Sequence, residues 1–402
     1  MEVHGSCDPK FQQVRQEFER NFRERGEVGA SVCVKVRGET VVDLWGGVAR
    51  TDTQAPWTSD TISIVFSSTK GATALCAHML ASRGQLDLDA PVAKYWPEFA
   101  QAGKAQMPVK MLLNHQAGLP AVRAPLPQGA YANWDLWVNA LAKEEPFWEP
   151  GTRNGYHALT IGWLVGEVVR RVSGKSLGTF FRDEVAKPLG LDFWIGLPED
   201  KEPRVAPMIA AEPDTNSLLY REMITQGSLA SLAILNSGGY MGAKPEFNSR
   251  AAHAAEIGGA GGITNARGLA GMYAPLSCGG TLKGVQLVNS DTLARMGVVA
   301  SATGRDAVLV MPSRFALGFM KSMDNRNAAV GIRESAIMSE DAFGHVGAGG
   351  SLGFADPKAE LAFGYTMNRM GAGTLLTDRG QSLVDVTYRA LGYQSNASGV
   401  WR

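Results

Sequence analysis

Strand-like and helix-like patterning are segregated along this chain, and that segregation limits the folds open to it. Near the N-terminus, GASVCVKV (29–36) and TVVDLWGG (40–47) are two β-branched runs joined through a Gly-containing turn, the mark of a β-hairpin. β-rich runs return only from Phe315 onward, as FALGFMKS, AFGHVG, GSLGFADP and ELAFGYTMN. From about Ala90 to about Val285 the pattern is helical: VKMLLNHQAGLP, WDLWVNALAKE, ALTIGWLVGEVVRRVSG and LGTFFRDEVAKPLG carry Gly or Pro near several ends. A sheet built from such a chain must take strands from both ends, with the helical middle inserted between them. The pattern predicts an α/β domain from residues 1–65 and 286–402, and a mostly helical domain from 66–285. PKFQQVRQEFERNFRERG, with Phe11, Val14, Phe18 and Phe22 at helical spacing, and DRGQSLVDVTYRALG read as terminal helices. Residues 203–260 read as long loops. GGAGGITNARGLAGMYAPL reads as a flexible entry to a helix with Thr264 as its N-cap.

A chain of 402 residues suits two domains better than one core. Its 39 basic and 39 acidic residues give a formal net charge of +0 without a basic tract, which argues against nucleic acid or an anionic membrane surface as partner. The polar start, MEVHGSCDPKFQQ, lacks a signal-peptide pattern, and LTIGWLVGEVV is too short to span a bilayer. Cys7, Cys33, Cys76 and Cys278 are scattered, with no metal-ligand spacing; Cys33 and Cys76 lie in apolar surroundings and read as small core residues. The expectation is a cytoplasmic protein with reduced thiols, no metal and no organic cofactor.

Chemistry concentrates in TISIVFSSTKGATAL (61–75), where an apolar β-rich run ends in hydroxyls and a lysine and small helix formers follow. A helix starting near Ser67 would place Ser67 and Lys70 on one face, with the hydroxyl on the first turn beside free backbone N–H groups. A serine is a weak nucleophile until a neighbouring base takes its proton, and a desolvated lysine can be that base. Ser-x-x-Lys spacing alone is weak, since serines cap helices and lysines are usually solvated. Lys70 is nevertheless the only lysine with a serine three residues before it, and it lies inside an apolar run. A rival is Ser351 in GGSLG, which matches G-x-S-x-G, but that fold needs a histidine after the serine. The six histidines are His4, His78, His115, His157, His253 and His345, so Ser351 reads as part of a Gly-rich turn. His115, in LLNHQAGLP, reads as a structural residue closing a helix.

Taken in order, Ser67–Lys70, EPGTRNGYHALTIGWL with Tyr156, and FGHVGAGGSLGF with His345 and Gly347 resemble the serine β-lactamase and penicillin-binding-protein superfamily. The closest likeness is to class C β-lactamases and the family VIII carboxylesterases, and it extends to LLNHQAGLP and FGYTMNRM. The resemblance implies an α/β (α+β) two-domain fold, with an antiparallel sheet flanked by helices beside a helical domain and the site in the cleft between. It implies that Ser67 is acylated, that Lys70 and Tyr156 shuttle protons, that the N–H groups of Ser67 and Ala348 form the oxyanion hole, and that His345 and Gly347 border the substrate.

Two departures from class C enzymes bear on function. Ala158 stands two residues after the tyrosine in place of Asn, and His345-Val346-Gly347 stands in place of Lys-Thr-Gly. An unperturbed histidine, with a pKa of about 6.5, is largely neutral at pH 7 and would gain charge near pH 6. The expected activity is therefore serine carboxylesterase action on esters of small to medium carboxylic acids, a small-molecule substrate. The alternatives are a β-lactamase, D-amino-acid peptidase, amidase or acyltransferase of the same fold, or a catalytically idle binding protein.

Overall fold

In the computed structural model, which describes residues 2–402, both ends of the chain contribute to one antiparallel sheet. Its strands are β1 (Val3–Cys7), β2 (Gly29–Val36), β3 (Glu39–Arg50), β4 (Phe343–Val346), β5 (Leu352–Asp356) and β6 (Leu361–Met367), in the spatial order β1-β3-β2-β6-β5-β4. A short strand, Ala55–Pro56, also pairs with β3. The β2–β3 hairpin turns through Arg37 (φ 53°) and Gly38 (φ 79°), the two positive φ angles that a type I′ turn requires. β2 pairs with β6 from Val36 opposite Leu361 to Ala30 opposite Met367, and this seam joins the two ends of the chain. The polar N-terminal run gave no strand signal, yet it forms the edge strand β1 along β3.

The strands β4–β6 are buried throughout because both faces of the sheet are covered. Helix α1 (Gln12–Glu24) packs on the closing helix α6 (Asp378–Ala390), where Tyr388 stacks on Phe354 of β5 at 6.2 Å. On the other face, Cys33, Gly364 and Gly353 form a cross-strand row against helix α5 (Ala266–Ser277). The row is small because the helix backbone lies on it: a Cβ at Gly364 would come 2.3 Å from the Ala266 carbonyl oxygen. Cys33 fills this seam, and burial pushes its thiol up to about 12. Helix α5 thus lies on the sheet although it comes from within segment 66–285.

Helix α2 (Thr69–Ser82) is buried on every side from Thr69 to Leu80 and lies between β4 and α4 (Thr160–Ser173). All-round burial explains its run of small and apolar residues with little amphipathic contrast. Helix α3 (Trp134–Lys143) packs on α4, with Trp137 and Trp163 stacked at 4.0 Å.

Several local expectations change. VKMLLNHQAGLP is helical only over Lys110–Leu113, since His115 has left-handed backbone (φ 64°). In FALGFMKS only Phe315 lies in a strand, Ser313–Phe315. The stretch 203–260 contains short helices at Leu218–Ile224, Leu229–Leu235 and Arg250–Ala254, each opened by a serine cap at Ser217, Ser228 or Ser249. Helices this short barely complete a hydrophobic period, so they escape a periodicity argument. The cap of α5 is Asn265, whose side chain accepts the Gly268 N–H, whereas the Thr264 hydroxyl donates to the Asp192 carbonyl. Among the described residues, no helix is long and apolar enough to cross a membrane.

Candidate active site

The nucleophile candidate sits where a two-residue strand, Ser63–Ile64, gives way to α2. That strand pairs with Gly262–Thr264, and the Val65 N–H donates to the Gly262 carbonyl at 2.9 Å. Phe66 then takes φ 42°, a strained value for a bulky residue. Surrounding contacts over-determine it: the N–H and hydroxyl of Thr69 both donate to the Phe66 carbonyl, and the ring meets Phe247 edge-on at 5.3 Å. Ser67 follows, half-buried between buried neighbours and open to the cleft.

Lys70 is fully buried, and among the described residues no carboxylate forms an ion pair with it. Its Nζ lies 2.9 Å from Ser67 Oγ, 2.7 Å from the Ala158 carbonyl oxygen and 2.7 Å from the Gly259 carbonyl oxygen. Burial pushes the ammonium well below the usual lysine range. The three oxygens match the three N–H donors of an ammonium; in the free amine two N–H groups keep the carbonyls and the lone pair faces Ser67 Oγ. The GGAGG segment is therefore a buried wall of the site, not a flexible entry. Its close approach to α4 needs glycine, since a Cβ at Gly162 would come 2.3 Å from the Gly259 nitrogen.

Tyr156 is 6% exposed, with Lys70 Nζ 4.7 Å from its ring centroid. Its ring packs on His115 at 4.9 Å, Phe315 at 5.8 Å and His345 at 6.1 Å. Burial pushes the phenol above its ordinary pKa, hydrogen bonding with Ser67 draws it down, and the Asp306 carboxylate raises it. Burial thus acts on both groups in the same sense, disfavouring the ammonium of Lys70 and the phenolate of Tyr156.

The turn between β4 and β5 is stitched to the nucleophile segment. The Ser351 hydroxyl donates to the Val65 carbonyl at 2.8 Å and lies 3.1 Å from Ser68 Oγ, which in turn donates to the His345 carbonyl at 3.1 Å. Ser351 is 1% exposed, so it acts as a fastener rather than a nucleophile. At Gly347 a Cβ would lie 2.1 Å from the Val65 carbonyl oxygen, so this close approach demands glycine. Gly347 donates its N–H to the Ser351 carbonyl at 2.8 Å. Among the described residues, no acceptor takes the N–H of Ser67 or of Ala348. Ser67 and Ala348 both line the cleft, which leaves two unused donors beside the hydroxyl.

His345 sits differently from the sequence expectation. It is 1% exposed, lies beside Tyr156, and is absent from the cleft lining. Its Nδ1–H donates to the Val346 carbonyl at 2.7 Å, leaving Nε2 unprotonated and without a partner. Burial, reinforced by Lys70, pushes its pKa down to about 3. The expectation that His345 gains charge near pH 6 is thereby corrected, because the interior stabilises the neutral ring.

The cleft has a volume of about 310 Å³. Its walls are mostly apolar, with Leu219, Met223, Ile234 and Met241 coming from the helices and loop of 218–241. Glu212, Asp214 and Glu334 are its charged residues, and no lysine, arginine or histidine lines it. The sequence reading missed these wall residues; the signal available was the four-residue spacing of Leu219 and Met223 in LLYREMI. It also missed Asp306, which carries no motif.

Comparison with known proteins identifies the family of the fold. The chain is 34% identical over 386 residues to the esterase/beta-lactamase LipL of Mycobacterium tuberculosis (strain ATCC 25618 / H37Rv), covering 94% of this chain and 85% of the relative. The crystal structure of a family VIII carboxylesterase superposes with a TM-score of 0.85 at 39% identity, covering 97% of this chain and 100% of the other. A penicillin-binding protein homologue from Caulobacter crescentus superposes with a TM-score of 0.84 at 33% identity, covering 97% and 100% of the two chains. The Beta-lactamase family model matches residues 16–386. Matched over most of its length by that family model, and superposing on these solved structures over nearly its whole chain, this chain belongs to the beta-lactamase family.

Proposed function

We propose that the protein is a serine carboxylesterase that hydrolyses neutral esters of small to medium carboxylic acids through an acyl-enzyme on Ser67. The observation that carries this reading is the buried Lys70 amine, held by two carbonyls with its nitrogen 2.9 Å from Ser67 Oγ; as the free amine it turns its lone pair to the Ser67 hydroxyl. Ser67 Oγ attacks the ester carbonyl as its proton passes to Lys70. The negative charge that develops on the carbonyl oxygen is met by the N–H groups of Ser67 and Ala348, preorganised donors of the kind that stabilise such oxyanions. The Lys70–Tyr156 pair returns a proton to the leaving alkoxide, and water then attacks the acyl-enzyme by the same steps in reverse. Lys70 and Tyr156 exchange protons as one coupled unit.

The apolar walls and three carboxylates of the cleft favour uncharged acyl and alkoxy groups over ligands bearing a carboxylate. This argues against anionic lactams as preferred substrates. The four cysteines are free thiols, which supports a cytoplasmic location. We also read the cleft as the boundary between the sheet-based and the helical domain.

The test is a matched pair of substrates, a dicarboxylate hemiester and its neutral diester. The neutral ester is expected to be favoured by about tenfold or more in kcat/KM, the effect of about 1.4 kcal/mol. Because His345 stays neutral down to about 3, the ratio should hold between pH 8 and pH 6. A preference for the hemiester, or one that emerges toward pH 6, would refute this account of charge selection. A fluorophosphonate should label Ser67, as read by mass spectrometry; no label there would favour the idle binding protein.

A further inference from the structure

We propose that Asp306 is a positioning residue for Tyr156, holding the backbone from which the phenol reaches Ser67; this rests on the catalytic reading of Tyr156 given above. Three consecutive amides around Tyr156 are each captured. The Gly155 N–H donates to the His115 carbonyl at 3.1 Å, the Tyr156 N–H to Asp306 Oδ1 at 2.9 Å, and the His157 N–H to His115 Nδ1 at 3.1 Å. The chain at Tyr156 is thus gripped from two sides by residues distant in sequence.

Asp306 is 0% exposed, and among the described residues it has no cationic partner. A buried carboxylate without a counter-charge persists only when hydrogen bonds compensate it. Oδ1 also accepts the N–H groups of Val308 at 2.9 Å and Leu309 at 3.0 Å, and Oδ2 accepts the Ser313 hydroxyl at 3.2 Å. The neighbouring Ala307 N–H donates to the Asn154 carbonyl at 2.9 Å, so the two segments are tied at successive positions. Val310, in the same turn, holds φ 55°, a strained value for a β-branched residue. Beyond the turn, Phe315 stacks on the Tyr156 ring, while Leu309 lines the cleft.

A carboxylate that served only to cap its own turn would need the amides of Val308 and Leu309 and no more. The bond to Tyr156 is what links Asp306 to the reaction, because a displacement near 1 Å of a catalytic group can cost about a hundredfold in rate.

The test is a double-mutant cycle with a rescue arm, read as kcat and KM for a neutral chromogenic ester. Asp306→Ala should lower kcat by about tenfold to a hundredfold while KM stays within about threefold. Asp306→Asn keeps an oxygen for the three amides and should recover kcat to within about threefold of the unsubstituted enzyme. In a Tyr156→Phe background, Asp306→Ala should cost no more than about threefold, since the group it positions is gone. If Asp306→Ala does not fold, Asp306→Ser takes its place, because a hydroxyl can cap the turn but is too short to reach Tyr156. Equal losses in the Tyr156 and Phe backgrounds, or an Asn variant no better than Ala, would overturn the proposal while leaving Tyr156 catalytic. Near-normal turnover by Tyr156→Phe itself would overturn the catalytic reading, and the positioning role with it.

Discussion

Ser67→Ala is expected to lower kcat for ester hydrolysis by at least about ten-thousandfold, the scale seen when the nucleophile is taken from a unit that works together. That loss corresponds to roughly 5 kcal/mol of transition-state stabilisation. The fold should survive, because the Ser67 hydroxyl meets only the side chains of Lys70 and Tyr156 and carries no packing duty comparable to that of its buried neighbours. Ser351→Ala provides the contrast. It removes the bond to the Val65 carbonyl that fastens the Ala348 turn against Ser67, so a several-fold loss is expected and not abolition. Steady-state rates of the two variants, with circular dichroism to confirm folding, decide the matter. Activity retained by Ser67→Ala and lost by Ser351→Ala would reverse the assignment of the nucleophile.

Lys70→Ala and Tyr156→Phe should each reduce kcat by at least about a hundredfold, the typical worth of a positioned acid or base. Their losses should not multiply in the double variant, since the two groups share one proton-transfer path. Lys70→Ala carries a second effect. It leaves the carbonyls of Ala158 and Gly259 without their donor in a buried site, at a cost of about 1–3 kcal/mol in stability for each group left unsatisfied. Tyr156→Phe should be much closer to neutral in stability, so thermal melts alongside rates separate catalysis from folding. For the unsubstituted enzyme, kcat/KM should fall on the acid side as Lys70 takes up a proton and loses its lone pair. Its depressed pKa moves that limb well below the ordinary lysine range. Multiplicative losses, or an acid limb unchanged in Lys70→Ala, would separate Lys70 from the step.

What the sequence determined by itself is local or ordered. β-branched and β-rich runs at 29–47 and 342–368 marked the strands of the central sheet, and helical spacing marked α1, α3, α4 and α6, because composition and spacing along one segment are local properties. The order Ser67, Lys70, Tyr156, His345 identified the family because three spaced motifs rarely coincide. Tertiary structure decided what depends on distant partners. Lys70 is held beside Ser67 only because Ala158 and Gly259, 88 and 189 residues away, bring carbonyls to its amine. His345 looked like a titrating cleft residue, but its burial beside Tyr156 and near Lys70 keeps it neutral. Ser351 mimicked a nucleophile motif and proved to be a fastener, and the Gly-rich stretch at 258–262 became a rigid wall, since only packing reveals which backbone comes close. The cleft walls at 218–241 left only the short spacing of Leu219 and Met223, and the grip of Asp306 on Tyr156 left no trace, because a chain records contacts between its own neighbours far more plainly than contacts made by folding.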